Sequence, residues 1–96
     1  MGEFIIYTED KPDSLAIRQA NRDAHLAWLK GEAAGIKLLT AGPWLDDSGI
    51  MRGSMLIVES DKKETVETWL ADDPYRAAGL TGTAMVKAYK WVIGRP

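Results

Sequence analysis

Glu3 to Thr8 is a short run rich in β-branched and aromatic residues, which predicts a strand. The polar stretch Glu9-Asp10-Lys11-Pro12-Asp13 turns the chain, and Asp13 or Ser14 can cap the helix that follows. Helical spacing of apolar residues runs from about Ser14 to Ala34 and stops at Gly35, with Gly31 offering an earlier exit. Ile36 to Ala41 predicts a second strand closed by Gly42-Pro43, and Trp44 to Gly53 reads as a loop rich in Asp, Ser and Gly. Ser54 to Ser60 is a third, largely apolar strand. Asp61 is placed to cap a second helix from about Lys62 to Ala71, with Glu64 set for a capping box. Asp72-Asp73-Pro74-Tyr75 breaks that helix, Tyr75 to Ala78 has room for one short turn, and a last strand spans about Thr83 to Ile93.

The order β-α-β-β-α-β predicts an α+β protein of ferredoxin-like fold. Its sheet has four antiparallel strands with two helices on one face, in a single domain over 1–96. The strands are apolar at both parities. Phe4 and Ile6 alternate with Ile5 and Tyr7, Leu56 and Val58 with Met55 and Ile57, and Met85, Tyr89, Trp91 and Ile93 with Val86, Ala88 and Val92. An antiparallel sheet with one wet face shows a single apolar parity. Since two helices cover only one face, a second copy of the sheet is expected on the other, giving a homodimer.

Composition narrows the function classes. Twelve basic and fourteen acidic side chains leave a net charge of −2, so no basic excess exists to neutralise phosphates and no nucleic-acid partner is expected. The chain has no cysteine and one histidine, which sets aside disulfides and the usual zinc constellations. No metal or nucleotide cofactor is expected, because the phosphate-cradling glycine motifs are missing. No apolar run approaches the roughly 18–20 residues of a membrane span. Met1 to Thr8 lacks the basic start and long apolar core of a signal peptide, so a cytoplasmic address is expected.

The chemistry centres on the single histidine, His25. At 100° per residue, with His25 at zero, Leu29 lies near about 40°, Arg22 near about 60° and Arg18 near about 20°, while Asp23 and Lys30 fall on the far side. His25 is thus central in the inward arc, with two arginines beside it. One reading is a hydrogen-bonded core histidine with arginines reaching to the rim; the other is a polar pocket for an anionic or hydroxylated ligand. Asp73, held out of the helical region by Pro74, either caps the following turn or partners His25. In the second case its carboxylate fixes the imidazole tautomer and makes the other nitrogen a better base. Ser54 can donate into such a pocket. A nucleophilic serine lacks support, since nothing around Ser54 resembles a nucleophile elbow. Gly42 allows a ligand or backbone to come close, and Trp44 is either a pocket wall or an interface anchor.

Four motifs stand in order along the chain: Arg22-x-x-His25-Leu26, Leu38-Leu39-Thr40-Ala41-Gly42-Pro43, Gly53-Ser54, and Asp73-Pro74-Tyr75 with Gly79 beyond. Together with the Asp10…Ser14-Leu15 opening they resemble the YCII-related (YciI-like) family across nearly the whole chain. The resemblance implies a ferredoxin-like homodimer, a dimeric α/β-barrel-like assembly, with a pocket where a histidine and an aspartate face each other, here His25 and Asp73. One relative in that family is a dehydrochlorinase acting on a chlorinated hydroxyquinol without metal or nucleotide. The sequence therefore points first to a cofactor-independent, lyase- or hydrolase-like acid–base enzyme. His25 would move the proton, Asp73 would orient it, and Arg22 and Ser54 would hold a small, aromatic or anionic substrate. The rival is a non-catalytic small-ligand or regulatory module using the same pocket. A structural dimer with a vestigial site comes third.

Overall fold

In a computed structural model, described over residues 2–95, the chain runs β1 (Gly2–Asp10), α1 (Leu15–Lys30), β2 (Lys37–Leu45), β3 (Met51–Ser60), α2 (Lys63–Leu70), α3 (Pro74–Ala77) and β4 (Thr81–Tyr89). The strands make one antiparallel sheet in the order β2-β3-β1-β4, the ferredoxin-like arrangement. Because side chains alternate along a strand, Phe4, Ile6, Leu56, Val58 and Val86 turn to one face. There they meet Val66, Trp69 and Leu70 of α2, with Trp28 and Leu29 of α1 packed alongside. Trp28 and Trp69 stack with centroids 4.2 Å apart, joining α1 to α2. Each large apolar side chain buried here contributes about 1.5–3 kcal/mol.

The other parity faces away from the helices. Met85 and Tyr89 are 43% and 37% exposed there. Val58, which belongs to the covered face, is sealed in the core.

Several boundaries differ from the sequence expectation, each for a local reason. α1 ends at Lys30 rather than near Ala34, because Gly31 swings to an extended ψ of 152° while its N–H still bonds to Ala27 and Trp28. β2 does not stop at Gly42-Pro43 but runs through to Leu45. It is an edge strand paired only with β3, where a proline without an N–H is tolerated.

The loop therefore shrinks to residues 46–50. Asp46 organises it, its Oδ1 accepting from the Ser48 and Ile50 N–H groups and its Oδ2 from Arg52. Arg52 first, then these N–H groups, hold its carboxyl below the usual range. Asp61 does not cap α2, since Lys62 occupies that position with no side-chain cap bond. The Asp61 carboxylate instead accepts from the Thr65 hydroxyl at 2.9 Å. β4 ends at Tyr89, which pairs with Glu3 near the start of β1, so little strand remains beyond it to pair with. The chain then folds back, and Arg95 bridges Glu3 and Glu59 at 2.6 and 2.7 Å.

Candidate functional site

Arg18 and His25, two turns apart, are the buried residues of α1, as their central place in the inward arc requires. What faces them comes from the start of α3. Asp73, at φ −60° and ψ 123° before Pro74, is the N-cap of that short helix. Its Oδ1 accepts from the Tyr75 N–H at 3.0 Å and lies 2.8 Å from His25 Nδ1. One carboxylate oxygen therefore does both things that sequence left as alternatives: it caps the turn and meets the histidine.

The Tyr75 ring lies flat on the imidazole, centroids 3.9 Å apart and planes 11° from parallel. Its other neighbour is the Arg18 guanidinium, 4.7 Å from the ring centre. Burial pushes the Tyr75 phenol above its ordinary pKa, with Arg18 the main opposing influence, so near neutrality it is a donor rather than an anion. An imidazole stacked on one face and tethered at Nδ1 has its orientation fixed. Its Nε2 makes no hydrogen bond among the described residues and is not sealed from accessible space.

His25 belongs to the wall of a cavity of about 260 Å³ between α1, β2 and β3, with Tyr75 of α3 at its side. Arg18, Arg22, His25, Ser54, Tyr75 and Gly42 supply its polar and backbone surface, and Leu26, Leu29, Pro43, Met51 and Leu56 its apolar walls. Among the described residues no carboxylate lines it. Asp73 stands behind His25 rather than in the cavity. Arg22 is exposed at the rim and makes no ion pair among the described residues.

Trp44 is not brought to this cavity, which corrects its reading as a pocket wall. It pairs with Gly53 across β2 and β3, stacks on Tyr7 at 5.6 Å, and donates from Nε1 to the Thr8 carbonyl at 2.8 Å. Tyr7 sits at the parity that faces away from the helices, so Trp44 belongs to that side of the sheet. Glycine at position 53 makes this packing possible, because a Cβ there would lie 2.1 Å from the indole nitrogen.

One of the two sequence readings had Arg18 reaching to the rim. The structure instead buries it to 3% exposure, with Nε and Nη2 donating to the two Asp10 oxygens at 2.7 and 3.0 Å and Nη2 also to Ser54 Oγ at 2.9 Å. Asp10 was read only as part of the turn and of the family-like opening, not as the partner of Arg18. The available signal was an arginine in a buried arc, which demands an anion, eight residues after an aspartate that ends a strand.

A family profile for the YCII-related domain matches residues 2–90. The chain belongs to the YCII-related family. Protein YciI of Escherichia coli is 40% identical to this YCII-related chain over 96 residues, covering 94% of it and 98% of the relative. The solved structure of 5-chloro-2-hydroxyhydroquinone dehydrochlorinase (TftG) from Burkholderia phenoliruptrix, in complex with 2,5-dihydroxybenzoquinone, is similar at 36% identity and a TM-score of 0.78. That match covers 92% of this chain and 93% of the other. A dimeric protein of unknown function from Bacteroides fragilis shares the ferredoxin-like fold at a TM-score of 0.56, with 17% identity and 93% and 94% of the two chains covered. Among its described residues the YCII-related chain has no helix long and apolar enough to cross a membrane and no group of three His, Asp or Glu side chains that could hold a metal.

Proposed function

We infer that the cavity is the active site of an acid–base enzyme acting on a small, oxygen-bearing, aromatic or anionic molecule, in a lyase- or hydrolase-like reaction. The observation that carries this is the His25–Asp73 contact at 2.8 Å with Nε2 left to the cavity. Asp73 keeps the proton on Nδ1, so Nε2 presents a lone pair to whatever the cavity holds. Nε2 takes a proton from the bound substrate, and the resulting imidazolium is stabilised by the Asp73 carboxylate. The same nitrogen then returns the proton to a leaving group or product oxygen, leaving the enzyme unchanged.

Arg22, at the open end, attracts an anion and orients it, and the apolar walls suit a ring. On the β2 side the cavity is bounded by Ala41, Gly42 and Pro43. The likeness to a dehydrochlorinase solved in complex with 2,5-dihydroxybenzoquinone supports a substrate of this kind.

The fold also supports a homodimer in which a second copy covers the sheet face opposite the helices. Tyr7, Met55, Met85 and Tyr89 offer that copy a partly exposed apolar surface, with Trp44 packed on Tyr7 as part of it.

Crystals soaked with small hydroxylated and carboxylated aromatics test the active-site reading. It expects a ligand in the cavity with an oxygen or acidic carbon within hydrogen-bond reach of His25 Nε2. Fragments that bind only elsewhere, with the cavity left to solvent, would sink it.

A further inference from the structure

Beyond Tyr89 the chain leaves β4 and crosses the sheet on the side away from the helices. Arg95 reaches Glu3 of β1 and Glu59 of β3, which are paired across those strands at the parity opposite to Phe4 and Val58. Trp91 meets Tyr89 edge-on, with ring centroids 5.1 Å apart. Between these anchors Val92 and Ile93 are 85% and 88% exposed, the most open of the large apolar side chains among the described residues.

Contacts within one chain do not account for this strap. Both of its ion pairs come from an arginine side chain that is 49% exposed, and surface pairs of that kind add little. The Trp91 indole N–H is sealed without an acceptor, which costs the desolvation of that group. Val92 and Ile93 bury almost nothing. Two β-branched side chains held out to water on a weakly anchored strap need a surface outside the chain.

The sheet face beside the strap has the complementary need. Four strands of nine or ten residues give it a flat footprint of about 570 Å², part of it polar at Glu9, Thr83 and Lys87. A stable interface takes about 800 Å² from each partner, so the face alone falls short and the strap extends it. Strap and face form one continuous patch. A second copy therefore covers both at once, and the pairing closes as a two-fold dimer rather than growing into a filament.

Resting on the homodimer reading above, we propose that residues 90–95 are a clasp for a second copy of this chain. Val92 and Ile93 of each protomer pack on the uncovered sheet face of its partner. Arg95 holds them there from behind by bridging Glu3 and Glu59 of its own chain.

Sedimentation over a range of micromolar concentrations compares the wild-type protein, Tyr89→Glu, the double variant Val92→Asp with Ile93→Asp, and Ile17→Ser, an exposed apolar position on α1. Circular dichroism establishes folding, which the double variant should keep because both of its positions are open in the single chain. The clasp expects the double variant to raise the dimer dissociation constant about a hundredfold or more, the scale of losing two buried aliphatic side chains, with Ile17→Ser unchanged. If the double Asp variant fails to fold, Val92→Ser with Ile93→Ser decides on the same reading. Wild-type affinity in the double variant, with dissociation by Tyr89→Glu, overturns the clasp and leaves the sheet-face dimer standing. Equal weakening by Ile17→Ser places the contact on the helical side and overturns both, as does a wild-type monomer.

Discussion

Replacing Asp73 with alanine should release the tautomer of His25. The carboxylate accepts at 2.8 Å from Nδ1, and both side chains are less than a tenth exposed, so water offers Nδ1 no equivalent partner. A hydrogen bond to a charged group is worth about 1.5–3 kcal/mol, which corresponds to about ten- to hundredfold in the ratio of Nδ1–H to Nε2–H imidazole. Asp73→Asn separates charge from shape. Its amide oxygen can still accept from Nδ1 and from the Tyr75 N–H, now as a neutral bond worth about 0.5–1.5 kcal/mol, so the preference shrinks without vanishing. Nitrogen-15 spectra of the single imidazole, recorded where it is neutral, read the ratio directly. The expected series is a strong Nδ1–H preference in the wild type, a weaker one in Asp73→Asn and none in Asp73→Ala. A wild-type proton on Nε2, or one ratio in all three proteins, would refute the reasoning. Asp73→Ala also removes the cap on α3, at about 1 kcal/mol, so melts should accompany the spectra.

Asp10→Ala should destabilise the fold by about 3–5 kcal/mol in urea denaturation, because it strands the buried Arg18 charge. Asp10→Asn combined with Arg18→Gln should cost clearly less, and equal losses would contradict the pairing. Burial raises the Tyr75 pKa, so above pH 10 the unfolded chain binds fewer protons at this residue than the folded one. The stability Tyr75 contributes is full below its unfolded pKa and is lost as pH rises through the folded value. Wild-type protein should therefore lose more stability than Tyr75→Phe between pH 9 and 11 (about one unit either side of the ordinary tyrosine value); parallel losses would refute this. Tyr89→Glu should convert a dimer, twice the 10.6 kDa chain, to monomer in sedimentation at micromolar concentration, while a wild-type monomer would end the dimer proposal. Gly53→Ala should destabilise the fold in urea denaturation, since a Cβ there falls 2.0 Å from the Thr8 carbonyl oxygen and 2.1 Å from Trp44 Nε1; wild-type stability would contradict this packing.

The element order and sheet direction were legible because strand and helix periods differ and breakers such as Pro43 and Pro74 punctuate them. His25 was legible too, because 100° per residue places it in the inward arc with Arg18 and Arg22. Other features depend on which strand lies at an edge. Pro43 ends a strand only if the strand is central, and β2 is not; Trp44 therefore stays in the strand and turns to the face opposite the cavity. Arg18 illustrates the remaining gap. Its inward angle implied burial or a rim position, and only the β1–α1 hairpin, by returning Asp10 to it, decides for burial. The Tyr75 stack was likewise hidden, because a four-residue helix gives no periodicity from which a facing direction can be read.

The account turns on His25 Nε2 meeting a ligand inside the cavity. Titrating imidazole-labelled protein with 2,5-dihydroxybenzoquinone and following both ring nitrogens tests this directly. The account expects the Nε2 resonance to move with saturation while Nδ1 keeps its proton against Asp73. A saturable ligand that leaves Nε2 untouched would contradict it.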